Sequence, residues 1–320
     1  MQVLIVKLSS LGDVIHTLPA ACDIRDALPE VRIHWAVETG FAPLLARCDT
    51  LDRVITVPLS QWAQHPFAAQ TRRTWRRFRE QLASERYDAV IDLQGLSKSA
   101  WVAWMARLAD GGQRYAMAHA TDGSSYERPT RWVANVALSL PRHIHALTRA
   151  RQVCSQALGY GLSPAPRFGM GPVAGGTSRQ VLLAHGTTRA DKEWPESHWL
   201  ALGRQLQAGG WQPALTHGNP QEQRRAERLA QGLPGAELWP RLSLDALTDR
   251  MAACAGVVGV DTGLSHLAVA LDLPHVQIYN WDTAWRTGPL GRPHQVSVYA
   301  KPYPSVDEVW QAWQQVCRPR

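Results

Sequence analysis

The feature that most constrains the fold of this chain is a repeated alternation of short apolar runs with longer segments of helical spacing. In the first half, the apolar runs predict strands near residues 2–7, 31–37, 53–57 and 88–93. Helices are predicted between them, near residues 13–27, 40–47, 70–86 and 97–109. The second half repeats the pattern, with strands near 180–185, 212–216, 256–260 and 275–279. Its helices are predicted near 195–208, 220–231, 243–253, 263–271 and 305–317. This alternation is typical of parallel α/β sheets, so the sequence predicts two Rossmann-like units.

A stretch rich in glycine and proline separates the two halves and lacks any apolar period. It predicts an N-terminal domain at 1–160, a linker at 161–178 and a C-terminal domain at 179–320, with the two domains facing a cleft. A chain of 320 residues is long enough to build two cores of roughly 150 residues each. Residues 110–145 are less regular, and we expect them to form a mobile flap over the edge of the first sheet.

Charge and cysteine content limit the kinds of partner and the cellular compartment that we expect for this chain. Residues 1–160 hold 19 of the 34 lysines and arginines but 14 of the 27 acidic residues, so they carry most of the net charge of +7. This excess indicates an acidic partner for the N-terminal domain. The five cysteines are widely spaced and odd in number, which predicts neither a disulfide framework nor a zinc site and favours a cytoplasmic setting. Neither an export signal nor a membrane-spanning segment is expected.

The second half contains a strand-to-helix loop that reads Gly-Val-Asp-Thr-Gly-Leu-Ser-His at 259–266. Free amides at such a helix start face outward, and the helix dipole there stabilises an anion. Gly263 permits close approach of the backbone, and the hydroxyls of Thr262 and Ser265 add donors, so a diphosphate is a natural occupant. The alternative is that Asp261 or Thr262 simply caps the helix.

Two further loops of the second half lie at the same predicted sheet edge. In the loop at 185–195, the side chains of Arg189 and Lys192 can meet phosphate oxygens, and Thr187 and Thr188 emerge at the same sheet edge as Asp261. Lys192 is alternatively a solvated surface charge. In the next loop Glu222 is a candidate for binding a ribose diol, or it is an ordinary carboxylate in the first turn of a helix.

The first half contains its own strand-to-helix loop, Lys-Leu-Ser-Ser-Leu-Gly-Asp-Val-Ile-His at 7–16, which lacks both common nucleotide-binding fingerprints. Asp13 lies beside Gly12 at the helix start. It is either a helix cap or a general base that takes the proton from an attacking hydroxyl. No Asp-x-Asp pair is present, so neither a metal nor another cofactor is expected.

Arginines 72, 73, 76 and 77 lie along one flank of a predicted helix. Such a flank suits an acidic surface, either membrane phosphates or an acidic sugar. A solvated helix face is the alternative. Nucleic acid is not an expected partner, because no recognisable binding module accompanies the arginines.

Together these motifs resemble the bacterial lipopolysaccharide heptosyltransferases, which are GT-B glycosyltransferases. The resemblance rests on the loop at 7–20, the Asp-Leu-Gln-Gly-Leu-Ser-Lys-Ser-Ala stretch at 92–100, the loop at 187–192 and the loop at 261–266. The first two of these motifs favour the enzymes that add the first heptose. The resemblance implies inverting transfer of L-glycero-D-manno-heptose from ADP-L-glycero-β-D-manno-heptose to Kdo of Kdo2-lipid A, in the synthesis of the inner core. It also implies peripheral contact with the cytoplasmic face of the inner membrane.

The resemblance also implies roles for individual residues. Asp13 matches the catalytic base. Contacts with the donor are implied for Thr187, Thr188, Lys192, Glu222, Leu242, Asp261, Thr262, Gly263, Leu264 and His266. Contacts with the acceptor are implied for Ser10, Gly12, Lys98 and Arg128.

The chain departs from the family pattern at two places. An arginine-rich acceptor loop is expected near position 60, but residues 60–65 read Ser-Gln-Trp-Ala-Gln-His. Residues 280–283 read Asn-Trp-Asp-Thr, where a Gly-Pro-Thr-Asp turn is common. The alternatives therefore include a later-acting heptosyltransferase or another nucleotide-sugar transferase of the family. A non-catalytic nucleotide-sugar-binding protein and a sugar-nucleotide epimerase are alternatives from other classes.

Overall fold

The computed structural model describes residues 1–170 and 178–317. The chain divides into two compact units, unit 1 at Met1–Gly171 and unit 2 at Pro172–Arg320, and each contains a six-stranded parallel sheet. Of the predicted linker at 161–178, residues 171–177 lie outside the described residues, and its bounds remain a prediction.

Unit 1 is a parallel sheet with helices in its connections. Its strands are β1 Gln2–Val6, β2 Arg32–Val37, β3 Arg53–Thr56, β4 Tyr87–Asp92, β5 Leu108–Met117 and β6 Val136–Leu138. Its helices are α1 Leu11–Ala27, α2 Ala42–Leu45, α3 Leu59–Gln64, α4 Ala69–Ala83, α5 Ser97–Met105, α6 Pro129–Val133 and α7 Ala146–Leu158. The strand order is β3-β2-β1-β4-β5-β6. The order reverses between β1 and β4, so the loops that follow these two strands emerge side by side.

Unit 2 has the same kind of architecture. Its strands are β7 Gln180–Ala184, β8 Gln212–Leu215, β9 Glu237–Leu238, β10 Gly256–Val260, β11 His275–Tyr279 and β12 Gln295–Tyr299. Its helices are α8 Glu196–Ala208, α9 Pro220–Gly232, α10 Leu244–Ala252, α11 Gly263–Ala270, α12 Ala284–Thr287 and α13 Val306–Val316. The strand order is β12-β11-β10-β7-β8-β9. Here the reversal brings the loops after β7 and β10 together.

The eight predicted strands form as β1 to β4, β7, β8, β10 and β11, whereas β9 and β12 at the edges of the second sheet were not predicted. Strands β1 and β10 are buried almost throughout, which explains why they read as continuous apolar runs rather than as alternating patterns. Trp313 of α13 is fully buried in the core of unit 2, as expected for a helix with tryptophan at helical spacing. No helix within the described residues combines the length and apolar character needed to cross a bilayer.

The prediction that residues 110–145 form a mobile flap is wrong for strands β5 and β6, which extend the sheet of unit 1 in parallel. Helix α5 also ends at Met105, earlier than predicted. The sequence of β5 hid the strand because it contains a glycine pair and is only partly buried. Gly111 has a positive φ of 79°, and a Cβ on Gly112 would lie 2.5 Å from the Tyr87 carbonyl oxygen. The pairing of β5 with β4 shifts register here, and the two glycines make that irregularity possible.

Candidate active site

The most polar cluster of unit 2 centres on Asp261, which follows strand β10 and is buried. The Lys192 ammonium donates to Asp261 Oδ2 over 2.6 Å, and His266 Nε2 lies 3.4 Å from Oδ1. Burial alone would raise the pKa of Asp261, but the hydrogen bond from His266 and the charge of Lys192 hold that pKa well below its usual range. The cluster therefore contains an ionised carboxylate that is matched by a cation at the sheet edge.

Helix α11 begins directly after this cluster with its first amides exposed to the loop. Thr262 is the N-cap residue, but its side chain accepts no hydrogen bond from the helix. Ser265 instead donates to the carbonyl of Val260 over 2.6 Å, a contact that a Cβ on Gly259 would obstruct. The alternative that Thr262 caps the helix through its side chain is therefore wrong. The amides of Gly263 and Leu264 at the helix N-terminus are available to an anion.

A pocket of about 280 Å³ opens beside this helix start, and Lys192 and Asp261 both line it. Arg189 also lines it and forms an ion pair with Asp191, with NH2 and Oδ2 2.5 Å apart. Asn280, which also lines the pocket, donates to the carbonyls of Asp191 and Glu193. The Asn-Trp-Asp-Thr turn that departs from the family pattern thus anchors the loop that carries Lys192.

A second, smaller pocket of unit 2 contains Thr187 and Glu222. Asn219 caps helix α9 by accepting from the amides of Gln221 and Glu222, and Glu222 Oε2 accepts from the amide of Gly218 over 2.7 Å. Glu222 therefore acts as the first-turn carboxylate that the sequence offered as an alternative. Its position beside Thr187 leaves the predicted ribose contact open.

In unit 1, Asp13 is the third residue of α1, and it completes a capping box with Ser10. The amide and hydroxyl of Ser10 donate to Asp13 Oδ2 over 3.2 and 2.9 Å. The Asp13 side chain is 42% exposed, and its Oδ1 lies 3.4 Å from the buried ammonium of Lys7. Partial burial alone would raise the pKa of Asp13, but the charge of Lys7 and the hydrogen bonds from Ser10 hold that pKa well below its usual range. Asp13 is thus an ionised carboxylate with one oxygen engaged in the cap and the other beside Lys7.

The loop after β4 is joined to the loop that carries Ser10. Gln94 Oε1 accepts from the amides of Leu8 and Ser9, and Lys98 Nζ donates to Ser9 Oγ over 2.8 Å. Ser9, Ser10 and Lys98 line a pocket of about 580 Å³ together with Glu38, Thr39, Gly40, Phe41, Pro58, Ser60 and Gln61. The predicted acceptor residues Ser10 and Lys98 therefore lie in one pocket of unit 1, next to Asp13.

Comparisons with known proteins identify the family. The sequence profile of glycosyltransferase family 9 (heptosyltransferase) matches residues 75–311, which is most of the chain. The chain belongs to glycosyltransferase family 9. The predicted glycosyltransferase activity is thereby confirmed, and membership in this family argues against the epimerase and the non-catalytic binding protein.

Similar proteins and solved structures indicate which heptosyltransferases this chain resembles. Lipopolysaccharide heptosyltransferase 1 of Escherichia coli K12 is 39% identical over 290 residues, covering 87% of this chain and 88% of the relative. Lipopolysaccharide heptosyltransferase 1 of Pseudomonas aeruginosa PAO1 is 38% identical over 302 residues, covering 91% of this chain and 82% of the relative. Among solved structures, the E. coli heptosyltransferase WaaC with ADP has a TM-score of 0.86 and 33% identity, covering 99% of this chain and 100% of that one. The predicted resemblance to heptosyltransferases that add the first heptose, and the GT-B fold class, are confirmed.

Not all predicted site residues of the heptosyltransferase come together. Within unit 2, Lys192 and Asp261 share one pocket, and Thr187 and Glu222 share another. Thr188 is exposed on its loop. Leu242 is half-buried between β9 and α10 and lines neither of these pockets.

Within unit 1, Gly12 is buried in the first turn of α1. Arg128 is the exposed residue before α6, and its neighbour Glu127 accepts from the amide of Ser97 over 2.7 Å. This bond ties the start of α6 to the start of α5, which carries Lys98.

The residue-level predictions missed three side chains of unit 1 that shape the site. Lys7 directly follows the apolar run of β1, and its buried ammonium lies beside Asp13. Asp92 is buried and accepts from the amides of Gln94 and Gly95 and from the Ser99 hydroxyl. Gln94 belongs to the motif at 92–100. It joins two loops only because β1 and β4 are neighbours in the sheet, which the sequence alone does not show.

Proposed function

We propose that this heptosyltransferase transfers L-glycero-D-manno-heptose from ADP-heptose to a Kdo residue of Kdo2-lipid A, with inversion at the anomeric carbon and ADP as the leaving group. The observation that carries the proposal is the Lys192 ammonium beside the open N-terminus of α11. A cation and a helix start at one sheet edge form a site for a diphosphate.

The donor is proposed to bind to unit 2. Lys192, Arg189 and the amides of Gly263 and Leu264 would neutralise the charge that develops on ADP as the glycosidic bond breaks. The hydroxyls of Thr187, Thr188 and Thr262 would contribute further hydrogen bonds to the nucleotide. Glu222 is proposed to meet the ribose hydroxyls, while Asp261, His266 and Leu242 complete the donor contacts.

The acceptor is proposed to bind to unit 1. Kdo is an acidic sugar, and the Lys98 ammonium is the cation of the 580 Å³ pocket. Ser10 and Gly12 would position the sugar near Asp13, and Arg128 would meet a more distant acidic group. The proposal retains two domains at 1–160 and 179–320 joined by a linker at 161–178.

Asp13 is the proposed general base. It takes the proton from the attacking Kdo hydroxyl while that oxygen bonds to the anomeric carbon and the bond to ADP breaks. Because Lys7 and Ser10 hold the pKa of Asp13 low, the carboxylate is ionised over the whole physiological pH range. The cost is a weaker base than one whose pKa lies near the working pH.

The acceptor is a lipid, so we propose that the enzyme works at the cytoplasmic face of the inner membrane as a peripheral protein. Mass spectrometry of Kdo2-lipid A incubated with ADP-heptose and the protein tests the transfer. We expect a mass increase of one heptose together with the release of ADP. An acceptor that already carries a heptose distinguishes a later-acting transferase, and an acceptor-free reaction distinguishes an epimerase.

Asp13→Ala should reduce turnover by at least about 10²-fold while the affinity for ADP changes little, because the base is removed and the donor site is spared. Asp26→Ala is a suitable control, because Asp26 is an exposed carboxylate of the same helix that pairs with Arg167. Near-normal turnover of the Asp13 variant would exclude it as the base.

A further inference from the structure

The three most exposed large apolar side chains in the described chain all belong to unit 1. Phe67 is 89% exposed, Trp132 is 78% exposed and Trp104 is 64% exposed. Burying an aromatic ring of this size is favourable, so leaving all three in water is costly. Single exposed apolar residues are common on protein surfaces. These three rings, however, lie on or beside helices of the same unit as a group of exposed arginines.

The three rings lie on or beside helices that border an aromatic cluster. Trp75 and Phe78 of α4 stack on Trp101 of α5, with ring centroids 5.3 and 5.9 Å apart. Trp104 lies three residues after Trp101, on the same side of α5. Helix α6, which carries Trp132, packs against α5. Phe67 precedes α4, and its carbonyl accepts from Arg72 over 2.8 Å.

Helix α4 presents an arginine face beside these rings. Its buried side is formed by Thr71, Phe78 and Leu82. The opposite side is exposed and carries Arg72, Arg73, Arg76, Arg77 and Arg79. At 100° per residue these five arginines occupy one half of the helix surface. We call this face, together with Phe67, Trp104 and Trp132, the arginine–aromatic surface.

The charges of this surface are not neutralised within the protein. Three arginines of unit 1 outside α4 are paired with carboxylates: Arg25 with Asp52, Arg151 with Asp23 and Arg167 with Asp26. None of the five arginines of α4 forms an ion pair with any residue of the described ranges 1–170 and 178–317, and all five are exposed. Helix α4 itself has a single carboxylate, Glu80. The unpaired arginines therefore leave a positive field on one side of unit 1.

We infer that the arginine–aromatic surface docks unit 1 onto a bilayer that contains anionic phospholipids. Guanidinium groups match lipid phosphates, and tryptophan and phenylalanine rings insert at the level of the headgroups. Each basic residue near an anionic leaflet adds to the attraction, and several exposed rings add the apolar component. The inference deepens the proposed function by naming the surface that would hold the enzyme where its lipid acceptor lies.

Sedimentation of the full chain with lipid vesicles tests the inference. We expect binding to vesicles of phosphatidylethanolamine with phosphatidylglycerol, weaker binding at high salt, and little binding to phosphatidylcholine alone. The pair Arg73→Glu with Arg77→Glu should weaken the partition coefficient at least about tenfold, and the pair Trp104→Ala with Trp132→Ala should also weaken it. Circular dichroism and ADP binding establish that each variant is folded.

Matched controls make the result specific. Arg204→Glu with Arg224→Glu changes the net charge equally, at exposed positions of α8 and α9 in unit 2, and should leave vesicle binding unchanged. Tyr299→Ala removes an exposed aromatic ring from unit 2 and should also have no effect. The variant with Trp104→Ala and Trp132→Ala should transfer heptose normally to Kdo2-lipid A dispersed in detergent, because the enzyme does not have to bind a bilayer to reach that acceptor.

Several outcomes would overturn the inference without touching the proposed function. One is wild-type protein that transfers heptose in detergent but ignores anionic vesicles. Another is vesicle binding that survives both pairs of substitutions. Loss of transfer in detergent by the folded arginine variant would show that the arginines contact the acceptor rather than the bilayer. If light scattering shows that the wild type is a dimer and the arginine variant is a monomer, the surface binds a second copy of the chain.

Discussion

At the scale of single residues, the two candidate carboxylates share one device. Asp13 and Asp261 are each held ionised against the effect of burial by a nearby lysine. The lysines differ in accessibility, since Lys7 is buried whereas Lys192 reaches a pocket. Lys7 contacts Asp13 and donates to the carbonyl of Leu93, while Lys192 also lines a pocket and is available to a ligand.

Lys7→Met should change the pH profile of the heptosyltransferase rather than simply its rate. Removing the ammonium 3.4 Å from Oδ1 removes the largest interaction that opposes burial, so the pKa of Asp13 should rise. The base works deprotonated, so activity should then fall as the pH drops through the raised pKa. The wild type should show no such acidic limb from Asp13 above pH 5. Measuring kcat/KM against pH checks this, and Lys7→Arg should retain the wild-type profile. An unchanged profile in the methionine variant would show that Lys7 does not tune Asp13.

Lys192→Ala should weaken ADP binding at least about tenfold and lower turnover as well. It removes a charge-assisted contact with the diphosphate, and it leaves the Asp261 carboxylate to repel the same ligand. Isothermal titration calorimetry with ADP measures the change. Arg204→Ala is the matched control, because it removes one exposed positive charge from α8 of the same unit. ADP affinity equal to that of the wild type would contradict the assignment.

At the scale of elements, each candidate site depends on two strands that are distant in sequence but adjacent in the sheet. In unit 1 the loops after β1 and β4 are joined by Gln94, and the Asp92 carboxylate organises the second loop. Asp92 is buried, and burial raises its pKa to about 6 in spite of its hydrogen bonds. The β4–α5 connection therefore contains a carboxylate that is costly to ionise.

This cost predicts how the stability of unit 1 changes with pH. Because the folded pKa of Asp92 lies above the unfolded value, its contribution is fully present below about pH 4 and is lost as the pH rises through about 6. Asp92→Asn keeps an oxygen acceptor and cannot ionise. The difference in free energy of unfolding between the Asp92→Asn variant and the wild type should therefore increase, in favour of the variant, by up to about 3 kcal/mol between pH 4 and pH 7. Urea unfolding across this range measures it, with the exposed Asp88→Asn of the same strand as control. A difference that is independent of pH would refute the prediction.

At the scale of the whole molecule, two units of similar architecture carry different chemistry. Unit 2 combines a cation with an open helix start, whereas unit 1 combines the Asp13 carboxylate with a pocket that Lys98 lines and with an arginine-rich surface. This division agrees with the excess of basic residues in the first half of the sequence. In the proposed function, the nucleotide binds to unit 2 and the lipid acceptor to unit 1.

Hydrogen exchange should display this division. ADP is expected to protect the loop at 185–195 and the start of α11 at 261–266, because it binds amides and side chains there. Protection in unit 1 should be small with ADP alone, and a Kdo-containing acceptor should instead protect 7–13 and 94–98. Mass spectrometry of peptides with and without each ligand measures both effects. ADP protection centred on the loops after β1 and β4 would reverse the assignment of the units.

The sequence by itself determined the class of fold, the strands that form both sheet centres, and the loops that carry Asp13, Lys192 and Asp261. These features are local, since buried strands read as apolar runs and helix starts are marked by glycine and polar residues. Only the tertiary structure revealed the strands β5, β6, β9 and β12. The glycine pair of β5 breaks the apolar pattern, and its pairing with β4 is made at long range. The same reason hid the roles of Lys7 and Gln94, whose partners lie on segments that only the strand order brings together. The choice between helix cap and ligand contact also depended on where the hydrogen bonds run. That choice differs between Glu222, which bonds to its own loop, and Thr262, which leaves its helix start open.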